Sequence, residues 1–282
     1  MVRLRLLTVV LAGGLLACAS PALARTGTST NWAGYAIHRS GESFRQVVGV
    51  WREPRASCRP GHRTFSSYWV GLGGYSSTAK ALEQAGTEVD CTSQGRVRTF
   101  AWFELVPAAS VKIGLEVPPG DLIKGTVAVA GRRVRISLAD LTRHTSFSKV
   151  VRAHVLDLSS AEWIVEAPSY CLRHGRCLTL PLTDFGSMTF DGAAVETTAG
   201  HLGAISDPRW RAARIRLIPR TGGYVSSRLG LGPGGEAAPS VLRRRGSGFS
   251  VAYARLGARV QAAGSGHLEA GTLLVHGARP GS

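Results

Sequence analysis

Between Asn31 and about Phe190, apolar and polar residues alternate in short stretches separated by turn-forming residues, the period of half-buried strands. Residues 47–51, 68–72, 99–106, 125–129, 134–138, 161–166 and 187–190 show it best, and 249–253 reads as a last strand. No stretch keeps a helical stripe over three turns; residues 76–84 have room for one turn of helix. The pattern predicts an all-β fold, a sandwich or barrel. Residues 220–247, rich in Gly, Pro, Ser and Arg and containing Arg243-Arg244-Arg245, read as a long loop. From Gly257 onward periodicity fades, and a flexible tail over 257–282 is expected. No internal repeat is visible.

The first residues follow a different logic. Arg3 and Arg5 precede an apolar run from Leu6 to Ala17, and Pro21-Ala22-Leu23-Ala24 places small residues where a signal peptidase reads them. A signal peptide over 1–24 and secretion are expected, leaving a domain over 25–256. The run is shorter than the ~20 apolar residues a membrane span needs. A minor alternative is lipoprotein anchoring at Cys18, through Leu15-Leu16-Ala17-Cys18.

With 282 residues, 44% of them hydrophobic, the chain is long enough to bury a substantial core, which excludes whole-chain disorder. Lys and Arg number 34 against 18 acids, and only Lys80, Lys112, Lys124 and Lys149 are lysines, so the excess is almost wholly arginine. Charge of this kind informs solubility and partners rather than fold. If Cys18 departs with the leader, Cys58, Cys91, Cys171 and Cys177 remain, an even set that suggests disulfides outside the cell. A local Cys171–Cys177 bridge, leaving Cys58 with Cys91, is the economical choice among three pairings. Zinc competes weakly, because neither spacing is the close pair of a metal finger.

Familiar hydrolase signatures are missing. There is no His-Glu-x-x-His, no Gly-x-Ser-x-Gly and no paired Asp-Thr-Gly, and oxidised cysteines supply no thiolate. Polar residues within apolar strands remain. In Ala161-Glu162-Trp163-Ile164-Val165-Glu166, alternation puts both acids and Ile164 on one face and Trp163 on the other. Phe100, Trp102, Glu104 and Val106 likewise share a face. An acid flanked by aromatics marks a candidate cleft, against the plainer reading of an ordinary charged strand face.

Six blocks in order resemble the glutamic peptidases, or eqolisins: Asn31-Trp32-Ala33-Gly34-Tyr35, Tyr68-Trp69-Val70-Gly71-Leu72-Gly73-Gly74, Ala81-Leu82-Glu83-Gln84-Ala85-Gly86, Ala101-Trp102-Phe103-Glu104, the 161–166 strand, and Asp184-Phe185-Gly186-Ser187-Met188-Thr189-Phe190. Residues 205–210 extend the likeness. The resemblance implies a concanavalin-like, jelly-roll β-sandwich of two curved antiparallel sheets. It implies a secreted endopeptidase whose catalytic pair falls on Gln84 and Glu166, with Trp32, Trp69, Trp102 and Glu104 lining the substrate groove. Two positions depart from the fungal pattern: Gly73 stands where an acid is usual, and Val106 where an aromatic is.

Hydrolysis without metal or covalent nucleophile needs a base for water and a donor for the oxyanion. Ionised Glu166 and the Gln84 amide fit those roles. A free Glu titrates near ~4.3, so such a base stays charged in moderately acidic medium, where the enzyme is expected to work, and Glu104 would raise its pKa if close. Glu162 is the structural alternative to Glu166. Polypeptides are the expected substrates of a monomer with no cofactor, no metal, no nucleic-acid partner and no stable membrane span. Two competing functions are a non-catalytic carbohydrate- or envelope-binding sandwich and a glycosidase using the paired carboxylates.

Overall fold

The computed structural model describes residues 25–171, 177–219, 231–232 and 234–256. The expected signal peptide and flexible tail lie outside the described residues. In chain order the strands are β1 (Arg25–Ser29), β2 (Trp32–His38), β3 (Phe44–Arg52), β4 (Thr64–Gly73), β5 (Leu82–Cys91), β6 (Val97–Val106), β7 (Val111–Ile113), β8 (Leu122–Ala130) and β9 (Arg133–Asp140). They continue with β10 (Thr145–Arg152), β11 (Ser160–Glu166), β12 (Ser169–Cys171), β13 (Cys177–Thr179), β14 (Ser187–Thr197), β15 (Leu202–Ala204), β16 (Arg211–Leu217), β17 (Gly235–Pro239) and β18 (Phe249–Arg255).

The main sheet runs β10-β9-β8-β3-β14-β18-β17-β16-β2-β11-β4-β5-β6-β7, with neighbours antiparallel. β1 pairs in parallel with β16, β15 flanks β14, and β12 with β13 forms a separate hairpin. β18 and β17 join a back half (β10 to β14) to a front half (β16 to β7). The halves pack face to face as a β-sandwich. Trp163 on β11 donates its indole N–H to the Val48 carbonyl on β3 at 2.8 Å, and Trp51 on β3 reaches Thr87 on β5 at 3.0 Å.

Two glycines make room for those indoles. Gly49 and Gly125 are paired on β3 and β8. A Cβ at Gly49 would lie 2.8 Å from Trp163 and Val70, and one at Gly125 2.9 Å from Trp51. Interiors this dense do not absorb a methyl group without strain. Of the six tryptophans, Trp51, Trp163 and Trp210 belong to this core, whereas Trp32, Trp69 and Trp102 gather on the far face of the front half.

Cys58 and Cys91 are bonded, tying the β3–β4 connection to the end of β5. Cys177 is also oxidised and sits opposite Cys171 in the β12–β13 ladder. Two expectations need refinement. Residues 76–84 hold no helix beyond one closed turn, in which the Ala79 N–H donates to the Ser76 carbonyl at 3.0 Å; Gln84 already belongs to β5, because pairing with β4 and β6 decides its backbone. The 220–247 stretch is not loop throughout, since 235–239 zips between β16 and β18 and Arg244–Gly246 forms a 3-10 turn.

Candidate active site

Alternation on β11 sends Trp163 and Val165 into the core and Glu162, Ile164 and Glu166 to the opposite face. Register then decides their neighbours. Glu166 lies opposite Trp32 on β2 and Ser67 on β4, and Ser67 in turn opposite Glu88 on β5. One row holds Glu162, Gly71, Gln84 and Glu104 across β11, β4, β5 and β6. Trp32, Trp69 and Trp102 surround the polar groups with Leu82, Ile164 and Ile215. Trp32 and Trp69 meet edge to face, centroids 5.0 Å apart. This apolar wall shelters the site: Gln84 and Glu104 are 0% exposed and Glu166 1%.

Each Glu166 oxygen accepts one hydrogen bond, Oε1 from Asn31 Nδ2 at 3.0 Å and Oε2 from Trp69 Nε1 at 2.8 Å. Asn31 is oriented by its own chain corner. Ser29 Oγ donates to Asn31 Oδ1 at 3.1 Å and accepts the backbone N–H of Trp32, so the amide nitrogen is turned to the carboxylate. Burial raises the Glu166 pKa to about 7, and the N–H groups of Trp69, Trp32 and Asn31 oppose the rise. The Trp32 indole lies outside strict hydrogen-bond geometry yet near enough to favour the charge.

Gln84 donates from Nε2 to Glu104 Oε2 at 2.7 Å. Burial, and then the Glu166 charge, lift Glu104 to about 8, while the Gln84 bond lowers it. The expected repulsion thus acts mainly on Glu104 rather than Glu166. Gln84 and Glu166 share no direct hydrogen bond; Glu104 connects them, bonded to one and sensing the charge of the other. Glu162 is buried on the same face, but the charges acting on it are those of Asp157 and Glu83, and the side chain that favours its ionised form is Ser160. Four buried polar atoms converge unpartnered around the pair: Gln84 Oε1, Glu104 Oε1, Trp32 Nε1 and Trp102 Nε1. Buried polar atoms are ordinarily satisfied, so these four are free to meet a bound molecule.

Alternation did not single out Asn31 or the Glu88–Asp90 pair. Asn31 had a signal, since it opens the first block of the family likeness. Glu88 and Asp90 share the site face of β5; burial and the neighbouring Asp90 charge push Glu88 well up, and Glu166 adds to it. Gly73 leaves space for Asp157, whose atoms lie 2.5 to 3.0 Å from where a Gly73 Cβ would sit and whose carboxylate accepts the Gly74 N–H at 3.3 Å. Among the described residues, no group of three or more His, Cys, Asp or Glu is arranged to hold a metal ion, and no helix is long and apolar enough to cross a membrane.

The family model described as Peptidase A4 family matches residues 30–213. Scytalido-glutamic peptidase, solved with a transition-state analogue inhibitor, is 23% identical with TM-score 0.62, covering 80% of this chain and 99% of its own. SCP-B, an eqolisin solved with the tripeptide Ala-Ile-His, gives 22%, 0.59, 80% and 99%. Aspergilloglutamic peptidase from Aspergillus niger gives 24%, 0.52, 68% and 99%. No curated protein matches the chain.

Proposed function

Because the chain belongs to the Peptidase A4 family, the glutamic endopeptidases, we propose that Glu166 and Gln84 form its catalytic pair and that Trp32, Trp69, Trp102 and Glu104 line the site that holds the polypeptide. The observation that carries this reading is the link through Glu104, which is hydrogen-bonded to Gln84 and raised by the charge of Glu166 but not by that of Glu162.

The chemistry follows from atoms already placed. The Glu166 carboxylate takes a proton from water as the water oxygen bonds to the scissile carbonyl carbon. Gln84 has a second N–H beyond the one on Glu104, and it donates to the oxyanion as the carbonyl π-bond opens. Its free Oε1 accepts the other water hydrogen and fixes the direction of attack. As the C–N bond breaks, Glu166 returns the proton to the departing nitrogen. Glu104 keeps its own proton up to about pH 8 and holds the amide in one orientation. The unpartnered indole N–H of Trp102 suits a peptide carbonyl, whereas that of Trp32 leans towards Glu166.

The working range lies above the one an ordinary glutamate would set. Glu166 gains its charge near pH 7 and Glu104 loses its proton near 8. One carboxylate beside one carboxylic acid, the productive state, therefore predominates between those values. The profile of kcat/KM against pH, with Glu166→Gln and Gln84→Ala as controls, tests this. An acid limb near 7 that vanishes in Glu166→Gln is expected. A limb near ~4.3 would mean that Glu166 titrates as an ordinary solvated carboxyl in the free enzyme and would overturn the raised working range; cleavage surviving both substitutions would remove the pair from the mechanism.

Secretion belongs to the same reading, supported by Arg3, Arg5, the apolar run behind them and the Cys58–Cys91 bond. Intact mass of the protein from culture medium checks the cut after Ala24.

A further inference from the structure

The surface of the back half that turns away from the core is basic. On it, Lys124 of β8, Arg133 and Arg135 of β9 and Arg152 of β10 are all exposed. Among the described residues none of the four has an ion pair. The carboxylates of the same face are already neutralised, Glu196 by Arg45 and Asp191 by Arg244. Arg133 and Arg152 stand directly opposite each other in the β9–β10 ladder. Like charges so placed destabilise a sheet unless an anion lies between them. The cross-strand partners of Arg135 are Ala128 and Val150, and Thr126 pairs with Ser137. A cleft of about 440 Å³ beside them is lined by Arg45, Arg133 and Arg135, together with the Glu196 carboxylate that Arg45 neutralises; Lys124 and Arg152 lie outside it.

Three of the four free cations are arginines, whose planar forks match phosphate oxygens in pairs. No aromatic side chain lines that cleft. Single-stranded nucleic acids are normally gripped by stacking their bases on aromatic rings; a polymer without bases needs only the charges. We propose that this face is a docking surface for a linear, base-free phosphodiester polymer of the poly(glycerol phosphate) type, contacted by Lys124, Arg133, Arg135 and Arg152. It lies across the sandwich from the Glu166 site, so polymer and peptide substrate are held at the same time. The inference does not depend on the peptidase assignment.

Retention of the full chain on immobilised poly(glycerol phosphate), measured against salt, tests it. Wild type should bind at low salt with an affinity that falls log-linearly as salt rises. Combining Arg133→Gln, Arg135→Gln and Arg152→Gln should weaken binding by roughly tenfold or more and reduce the log–log salt slope by about 2, as three lost phosphate contacts require. Peptide cleavage and the circular-dichroism spectrum should stay as in wild type. The proposal is overturned by wild type flowing through at low salt, or by an unchanged slope in the triple variant. Tighter binding to single-stranded DNA or to phosphatidylglycerol vesicles than to the polymer overturns it as well.

Discussion

Replacing Glu53 by Gln should make the protein markedly less sensitive to alkali. Glu53 closes β3 against the front half and is 1% exposed. Its Oε2 accepts from Thr87 Oγ at 2.6 Å and Trp51 Nε1 at 3.3 Å, while Oε1 is buried with no hydrogen bond. Burial, with a smaller push from Asp121, lifts its pKa from 4.5 to about 8. The sign follows directly. Below pH 4.5 the carboxyl is protonated in folded and unfolded chains alike, and its contacts stabilise in full. As pH rises towards 8 the unfolded chain ionises first, so stability drains away until the folded carboxyl loses its proton too. At 1.36 kcal/mol per unit, the rise from 4.5 to about 8 corresponds to about 5 kcal/mol. Gln keeps the shape and an oxygen for Thr87 but cannot ionise. In a domain of this size 1 kcal/mol moves Tm by ~2–4 °C. The difference in Tm between pH 4 and pH 9 should therefore shrink by roughly 10–20 °C in Glu53→Gln. Calorimetric melts of both proteins across that range provide the comparison. Parallel curves would refute the argument, because they would mean that this carboxyl titrates alike in both states. Glu83 and Glu104, also raised to about 8, leave a residual slope of the same sign.

Other outcomes follow from single contacts. Trp69→Phe removes the 2.8 Å N–H donor to Glu166; a hydrogen bond to a charged group is worth ~1.5–3 kcal/mol, so the acid limb of kcat/KM should move up by roughly one to two pH units. Gln84→Ala should lower kcat by ~10²–10³ with little change in Tm, measured by single-turnover cleavage and melting. Gly49→Ala drives a methyl group to 2.8 Å from Trp163 and Val70, costing ~1–3 kcal/mol in urea unfolding. Cys58→Ser with Cys91→Ser opens a link spanning 33 residues and should cost about 4 kcal/mol by the loop-entropy estimate.

Each stretch where alternation is clear lies inside a strand: 47–51 in β3, 161–166 in β11 and 249–253 in β18. β5 escaped, and the reason is chemical. Its sequence Leu82-Glu83-Gln84-Ala85-Gly86-Thr87-Glu88-Val89-Asp90-Cys91 buries polar groups on both faces, Glu83 and Thr87 towards the back half and Gln84, with the half-buried Glu88, towards the site. Hydropathy cannot register a strand whose buried residues are acids, so the strand carrying Gln84 was the one least visible to periodicity. β10 escaped for a simpler reason: most of its residues are exposed, and pairing with β9 holds it. β16 does alternate, burying Ala213, Ile215 and Leu217, but its three arginines and two alanines dilute the signal. The face shared by Glu162 and Glu166 followed from a period of two. Choosing between them needed distance, because only Glu166 acts on Glu104.

The polypeptide reaches Asn31 straight from β1, which pairs in parallel, and Ser29, the last residue of that strand, is the one that aims the Asn31 amide. Tuning of the base is thereby tethered to an element held mainly along one edge. Gentle heating should loosen residues 25–29 first and let the carboxyl at 166 drift in acidity while the sandwich is still intact. Activity would then fade ahead of the melt, with amide exchange in that strand keeping pace with the loss.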